Sequence, residues 1–67
     1  MDLMEKSKVR LEHWISHNDH HYEEYEAFAD ELQKAGKSKS AQAIREMMGF
    51  TAKCTACLKK AMDALDS

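Results

Sequence analysis

Residues 35–40 read Ala35-Gly36-Lys37-Ser38-Lys39-Ser40, and this short stretch decides the fold. It holds one of only two glycines in a chain with no proline. Glycine accepts the left-handed backbone that commonly closes a helix. Serine is a favoured first cap of the next helix, so Ser38 or Ser40 is expected to open one. The spacing predicts a helix that stops at Gly36, a tight turn, and a second helix.

Working outward, both flanks carry the matching pattern. Upstream, apolar or aromatic residues recur at Met4, Leu11, Trp14/Ile15, Tyr22, Tyr25, Phe28/Ala29 and Leu32. Downstream they recur at Ala41, Ile44, Met47/Met48, Thr51, Cys54, Leu58, Ala61/Met62 and Leu65. Steps of three and four residues are the mark of an amphipathic helix. Asp2 followed by Glu5 fits a capping box at the start of the first helix. Asn18 interrupts the first stripe. Either the helix continues and Asn18 is a buried polar device that fixes register, or the chain breaks near residues 16–18 and Asn18 caps a new helix; continuity is favoured. Gly49 lies opposite the second stripe, where glycine costs about 1 kcal/mol relative to alanine and marks a candidate kink. The expected fold is all-α: an antiparallel helical hairpin with helix 1 over about 3–35 and helix 2 over about 39–65, forming one domain over residues 1–67.

Sixty-seven residues make a thin core when arranged as two helices. Pairing of two hairpins into a helical bundle buries both stripes, so a homo-oligomer is expected, with a dimer favoured and a protein partner as the other way to cover the surface. The net charge of −2 conceals an asymmetry. Residues 1–35 hold four Lys/Arg against nine Asp/Glu, 4 − 9 = −5; residues 36–67 hold six against three, 6 − 3 = +3. Opposite signs suit packing of one arm against the other or against a second chain. No basic face is concentrated enough for nucleic acid. No apolar run approaches the roughly 20 residues of a membrane span, and the first residues lack a signal-peptide pattern, so no membrane association and a cytoplasmic location are expected. In that reducing setting Cys54 and Cys57 are thiols or ligands rather than a structural disulfide.

The chemistry-bearing residues cluster. All four histidines, His13, His17, His20 and His21, fall within nine residues. At about 100° per residue, His13, His17 and His21 sit near 0°, 40° and 80°, with the apolar stripe centred near ~130°. His13 and His17 are thus expected to be mostly exposed and His21 to border the core. A His-x3-His pair is a two-point ligand for a divalent transition metal such as zinc, nickel or cobalt, and Glu24 can add a carboxylate. The competing readings are a solvated polar face and a pH-sensing cluster, since histidine titrates near neutrality. Cys54-Thr55-Ala56-Cys57 is a C-x-x-C within a helix, with no strand before it as a redox motif would have; Cys54 is expected on the core stripe with Cys57 beside it. Folding about residue 37 brings position 54 level with 20 and position 57 level with 17. His17, His21, Cys54 and Cys57 would then offer two nitrogens and two sulfurs, a ligand set of structural zinc. The height is predicted; the direction of each side chain is not.

Leu11-Glu12-His13-Trp14, His17-Asn18, His21 and Glu24-Tyr25, followed by the Ala35-Gly36 turn and a second amphipathic helix, resemble a group of small uncharacterised helical domains with an LEHWxxHNxxHxxEY pattern. Such domains occur alone or near cobalt and nickel uptake proteins. The resemblance implies a compact helical unit with a link to transition-metal handling and supplies no established catalytic residues to carry over; Cys54 and Cys57 lie outside its pattern. The likeness to half of a di-iron bundle fails, because no histidine has a glutamate three residues before it and helix 2 has no histidine. With no glycine-rich loop or pocket-forming segment, the expected role is non-catalytic: an oligomerisation or interaction module or, as the alternative, a metal-binding accessory protein.

Overall fold

The computed structural model describes residues 2–65 and places them in two helices, α1 (Leu3–Lys34) and α2 (Ser38–Ala64), packed antiparallel along their length. The domain expected over residues 1–67 extends to 1, 66 and 67, which lie outside the described residues. The hairpin is a flat rod, 51 × 17 × 10 Å between its principal Cα extents.

α1 starts where the cap was read. Asp2 has extended backbone, and its carboxylate accepts a hydrogen bond from the Glu5 amide at 2.9 Å. The helix runs unbroken through Asn18. It ends at Lys34, and Gly36, two residues on with a φ of 80°, lets the chain reverse. The Gly36 amide donates to the Gln33 carbonyl at 3.1 Å and the Lys37 amide to the Leu32 carbonyl at 2.8 Å, the bond pair of a Schellman turn. The serine caps require correction. α2 opens at Ser38 with Lys37 in the cap position and no side-chain cap bond. The turn closes so tightly that Ser38 is already helical, and its hydroxyl instead accepts from Gln33 Nε2 at 3.1 Å. Ser40 lies inside the helix, and α2 continues as one helix through Gly49.

The helices meet along rows that step by four and three residues. On α1 these are Leu11, Ile15, Asn18, Tyr22, Tyr25, Ala29 and Leu32; on α2 they are Ala41, Ile44, Met48, Thr51, Thr55, Leu58 and Met62, all buried or half-buried. Counted outward from the turn, Leu32 is level with Ala41, Tyr25 with Met48, and Asn18 with Thr55. Such 4-3 rows are what two helices need to stay in contact over seven turns. Thr55 corrects the expectation for Cys54. The thiol is exposed, and threonine takes the inner position because the 4-3 count from Met48 runs through 51 to 55. The Thr55 hydroxyl donates to the Thr51 carbonyl at 3.1 Å, which satisfies it without a cross-helix partner. Where neighbouring residues competed for the core, Ile15, Ala29 and Met48 face inward, while Trp14 and Phe28 do not. Met4, also expected on the stripe, is exposed.

The core is small. Only Ala29, Ala41, Met48 and Thr55 are buried among the described residues, and no large side chain is fully enclosed. Two helices cover only one strip of each other, and Leu3, Met4, Val9, Trp14, Phe28 and Phe50 stay exposed.

Candidate functional site

The two helices leave the hairpin with two unlike broad sides. Around each helix the core row has a flank on either hand, about 100° away. On α1 one flank carries Asp19 and Asp30, and the other Trp14, His17, His21 and Phe28. On α2 one flank carries Arg45, Ala52 and Lys59, and the other Met47, Phe50, Cys54 and Cys57. Contacts fix which flanks share a side. Arg45 bonds Asp30 at 3.1 Å and Gln33 at 3.2 Å across the helices, and Asp19 lines one shallow groove with Ala52, Ala56 and Lys59. The remaining two flanks therefore lie together on the opposite side. One side is polar and cross-linked; the other is aromatic, thiol- and imidazole-bearing.

On α2 this second side is a second unbroken row: Ala43, Met47, Phe50, Cys54, Cys57 and Ala61, again in 4-3 steps. No position in it is charged, in a chain where 33% of residues are. Phe50 is 59% exposed, Phe28 50% and Trp14 46%. Sequence reasoning missed this row, and Phe50 in particular, because it merged with the core stripe into one broad apolar arc. The available signal was the recurrence of uncharged residues at every 4-3 step in a second phase.

The histidine ladder stands on the same side. His17 and His21 have ring centroids 4.4 Å apart, and His13 lies 5.7 Å from His17. His21 stacks against Tyr25 at 5.9 Å. Glu24 Oε1 sits 3.0 Å from His20 Nε2 and 3.6 Å from His21 Nδ1. His13, His17 and His20 are exposed and His21 half-buried. These distances follow from the single helical turn that separates residue i from i+3 and i+4. His17 and His21 are therefore the pair best placed to chelate an ion, with Glu24 turned toward His20 and His21.

Cys54 and Cys57 are free thiols, both exposed. They bracket Thr55 as His17 and His21 bracket Asn18, so the two pairs share one height along the rod. Within one chain they do not converge: among the described residues, no three His, Cys, Asp or Glu side chains are grouped to hold a metal ion. The reason is geometric. Both pairs project off the same side of the hairpin, side by side, so neither pair is aimed at the other. No helix among the described residues is long and apolar enough to cross a membrane.

The fold and site thus define a class: an antiparallel α-hairpin with one polar side and one apolar side that carries imidazoles and thiols. Residues 7–65 match the family described as a domain of unknown function, DUF8180, and the chain belongs to that family. No curated protein and no solved structure matches the chain.

Proposed function

We propose that this chain is a non-catalytic helical association module whose apolar side is covered by a second helical surface, in the first instance another copy of itself. The observation that carries this reading is the mismatch between what is buried and what is not. The interior holds two alanines, one methionine and one threonine, while Trp14, Phe28 and Phe50 stand in solvent on one side. Contiguous apolar faces of this kind on small proteins mark interaction surfaces. The 4-3 spacing of the α2 row supports a helical occupant, because knobs at that spacing fit the holes of a facing helix. The broad side, 51 by 17 Å, is of the same order as the roughly 800 Å² per partner of a standard interface.

A metal-handling role is the second reading. It is favoured by the 4.4 Å separation of the His17 and His21 rings and by the resemblance to domains found near cobalt and nickel uptake proteins. A cytoplasmic location is part of both readings.

Sedimentation equilibrium at micromolar protein tests the first. A species of twice the 7.7 kDa chain mass, or a higher multiple, is expected. A helical species of 7.7 kDa alone would overturn it.

A further inference from the structure

We infer that two copies of this chain, docked through their apolar sides, complete a transition-metal site that neither copy holds alone: His17 and His21 of one copy with the partner's Cys54 and the partner's Cys57. The inference rests on the association reading above and adds to it an orientation and a ligand.

Orientation follows from charge. Two such faces can meet by a two-fold axis in either of two directions. With the axis across the rods, α1 lies on the partner's α1, and the acidic half, at −5, is set against itself. With the axis along the rods, α1 lies on the partner's α2, the −5 half on the +3 half. The second arrangement is the complementary one. Toward the middle of the rods the rim residues agree with it, while Arg10, its guanidinium 5.9 Å from the Trp14 ring centre, is a cation on the acidic arm nearer the open end. Glu24 edges the face on α1 through its contact with His21, and Lys53 edges it on α2, with its ammonium 5.6 Å from the Phe50 ring centre.

The ligand follows from height. A two-fold axis along the rods keeps each residue at its own level. His17 and His21, which bracket Asn18, therefore remain level with the Cys54–Cys57 pair, which brackets Thr55, but of the other chain. What was side by side in one hairpin becomes face to face between two. Each helix then presents a pair one turn apart to the pair opposite. Two imidazole nitrogens and two thiolates make a closed tetrahedral set suited to zinc. The two-fold produces two such sites per dimer. On binding, each thiol gives up its proton to solvent and each imidazole binds through its neutral nitrogen, so uptake releases protons and weakens as the solution is acidified.

Cobalt(II), a spectroscopic stand-in for zinc, is the probe, with the protein kept reduced. Wild-type protein is expected to sediment as a dimer and take up about one cobalt per chain. Uptake should produce the strong visible bands of tetrahedral cobalt and a near-ultraviolet thiolate band, both lost on adding zinc. The decisive measurement mixes two variants that change only solvent-facing or half-buried positions: His17→Gln/His21→Gln and Cys54→Ala/Cys57→Ala. Each alone should remain a helical dimer and show no thiolate–cobalt spectrum. Unfolded and refolded together in equal amounts, they should regain about a quarter of the wild-type signal, since half the dimers are mixed and each of those holds one intact site. A wild-type dimer that binds no cobalt, or one that binds it while the mixture regains nothing, overturns the shared site and leaves the association reading standing. A wild-type monomer overturns both.

Discussion

The two broad sides of this hairpin are built from the same two helices, yet they are finished differently. The polar side is closed on itself. Arg45 donates across the helices to both Asp30 and Gln33, and Asp19 and Lys59 line the groove of that side. The other side has no cross-helix hydrogen bond or ion pair among those described, and offers Trp14, Phe28 and Phe50 to solvent. A side that satisfies its own polar groups has nothing to gain from a partner. A side that leaves aromatic surface open gains roughly 25 cal/mol for each Å² it buries. Function in a chain this short is therefore sought on the unfinished side, which also carries the histidines and cysteines.

The comparison can be broken by one charge. Phe50→Glu places a carboxylate in the middle of the apolar row, where docking would bury it unpaired. Self-association should weaken by about 2–4 kcal/mol, the range of an interface hot spot, and the sedimenting mass should fall toward 7.7 kDa. Ala56→Glu places the same carboxylate on the polar side, and the mass should not move. Equal loss of association in both variants, or in neither, would show that the two sides do not differ as partners.

Met48→Ala tests the hinge between the sides, namely the core row itself. Met48 is 6% exposed and the largest buried side chain among the described residues. Its truncation should cost about 2–5 kcal/mol in chemical denaturation, the usual range for a buried methionine cut to alanine. The neighbouring Met47→Ala, at a half-buried position on the apolar flank, should act on association more than on the stability of the single hairpin. If Met47 proved the costlier residue in a monomeric background, the phase of the α2 core row would be wrong.

Much of this plan was legible in the sequence. Gly36 between two amphipathic stretches is enough for a hairpin, because its positive φ and the Schellman bonds follow from the residue type. The continuity of α1 past Asn18 was also readable, since one polar residue in a 4-3 row is tolerated where it is half-buried. The histidine cluster was evident because helical spacing alone sets its rings 4–6 Å apart. Three things were not legible. Steps of three and four can be taken in either order, and hydrophobicity chose Cys54 over Thr55; only the contact with α1 selects the phase that puts the threonine inside. The serine caps were displaced because a Schellman turn leaves Lys37, not a serine, at the cap position. Which flanks share a side depends on the handedness of the helices together with their register, and that needed the Asp30–Arg45 contact to be seen.

The smallest expected effect sharpens the comparison from the polar side. Arg45 bonds α1 at two points, Asp30 at 3.1 Å and Gln33 at 3.2 Å. It looks like a clamp. Its side chain, however, is 45% exposed and that of Asp30 is 58% exposed, so water screens the pair and solvates either partner when the other is removed. Such exposed pairs contribute about 0.2–1 kcal/mol, and less in high salt. Arg45→Ala should therefore lower stability by under about 1 kcal/mol, with the difference shrinking further in molar salt, and leave the sedimenting mass unchanged. Asp30→Ala should match it, and the double variant should cost no more than the larger single change if the bond is their shared contribution. A loss of several kcal/mol from Arg45→Ala would mean that the polar side, not the core row, holds the hairpin in register, and the division of labour between the two sides would be reversed.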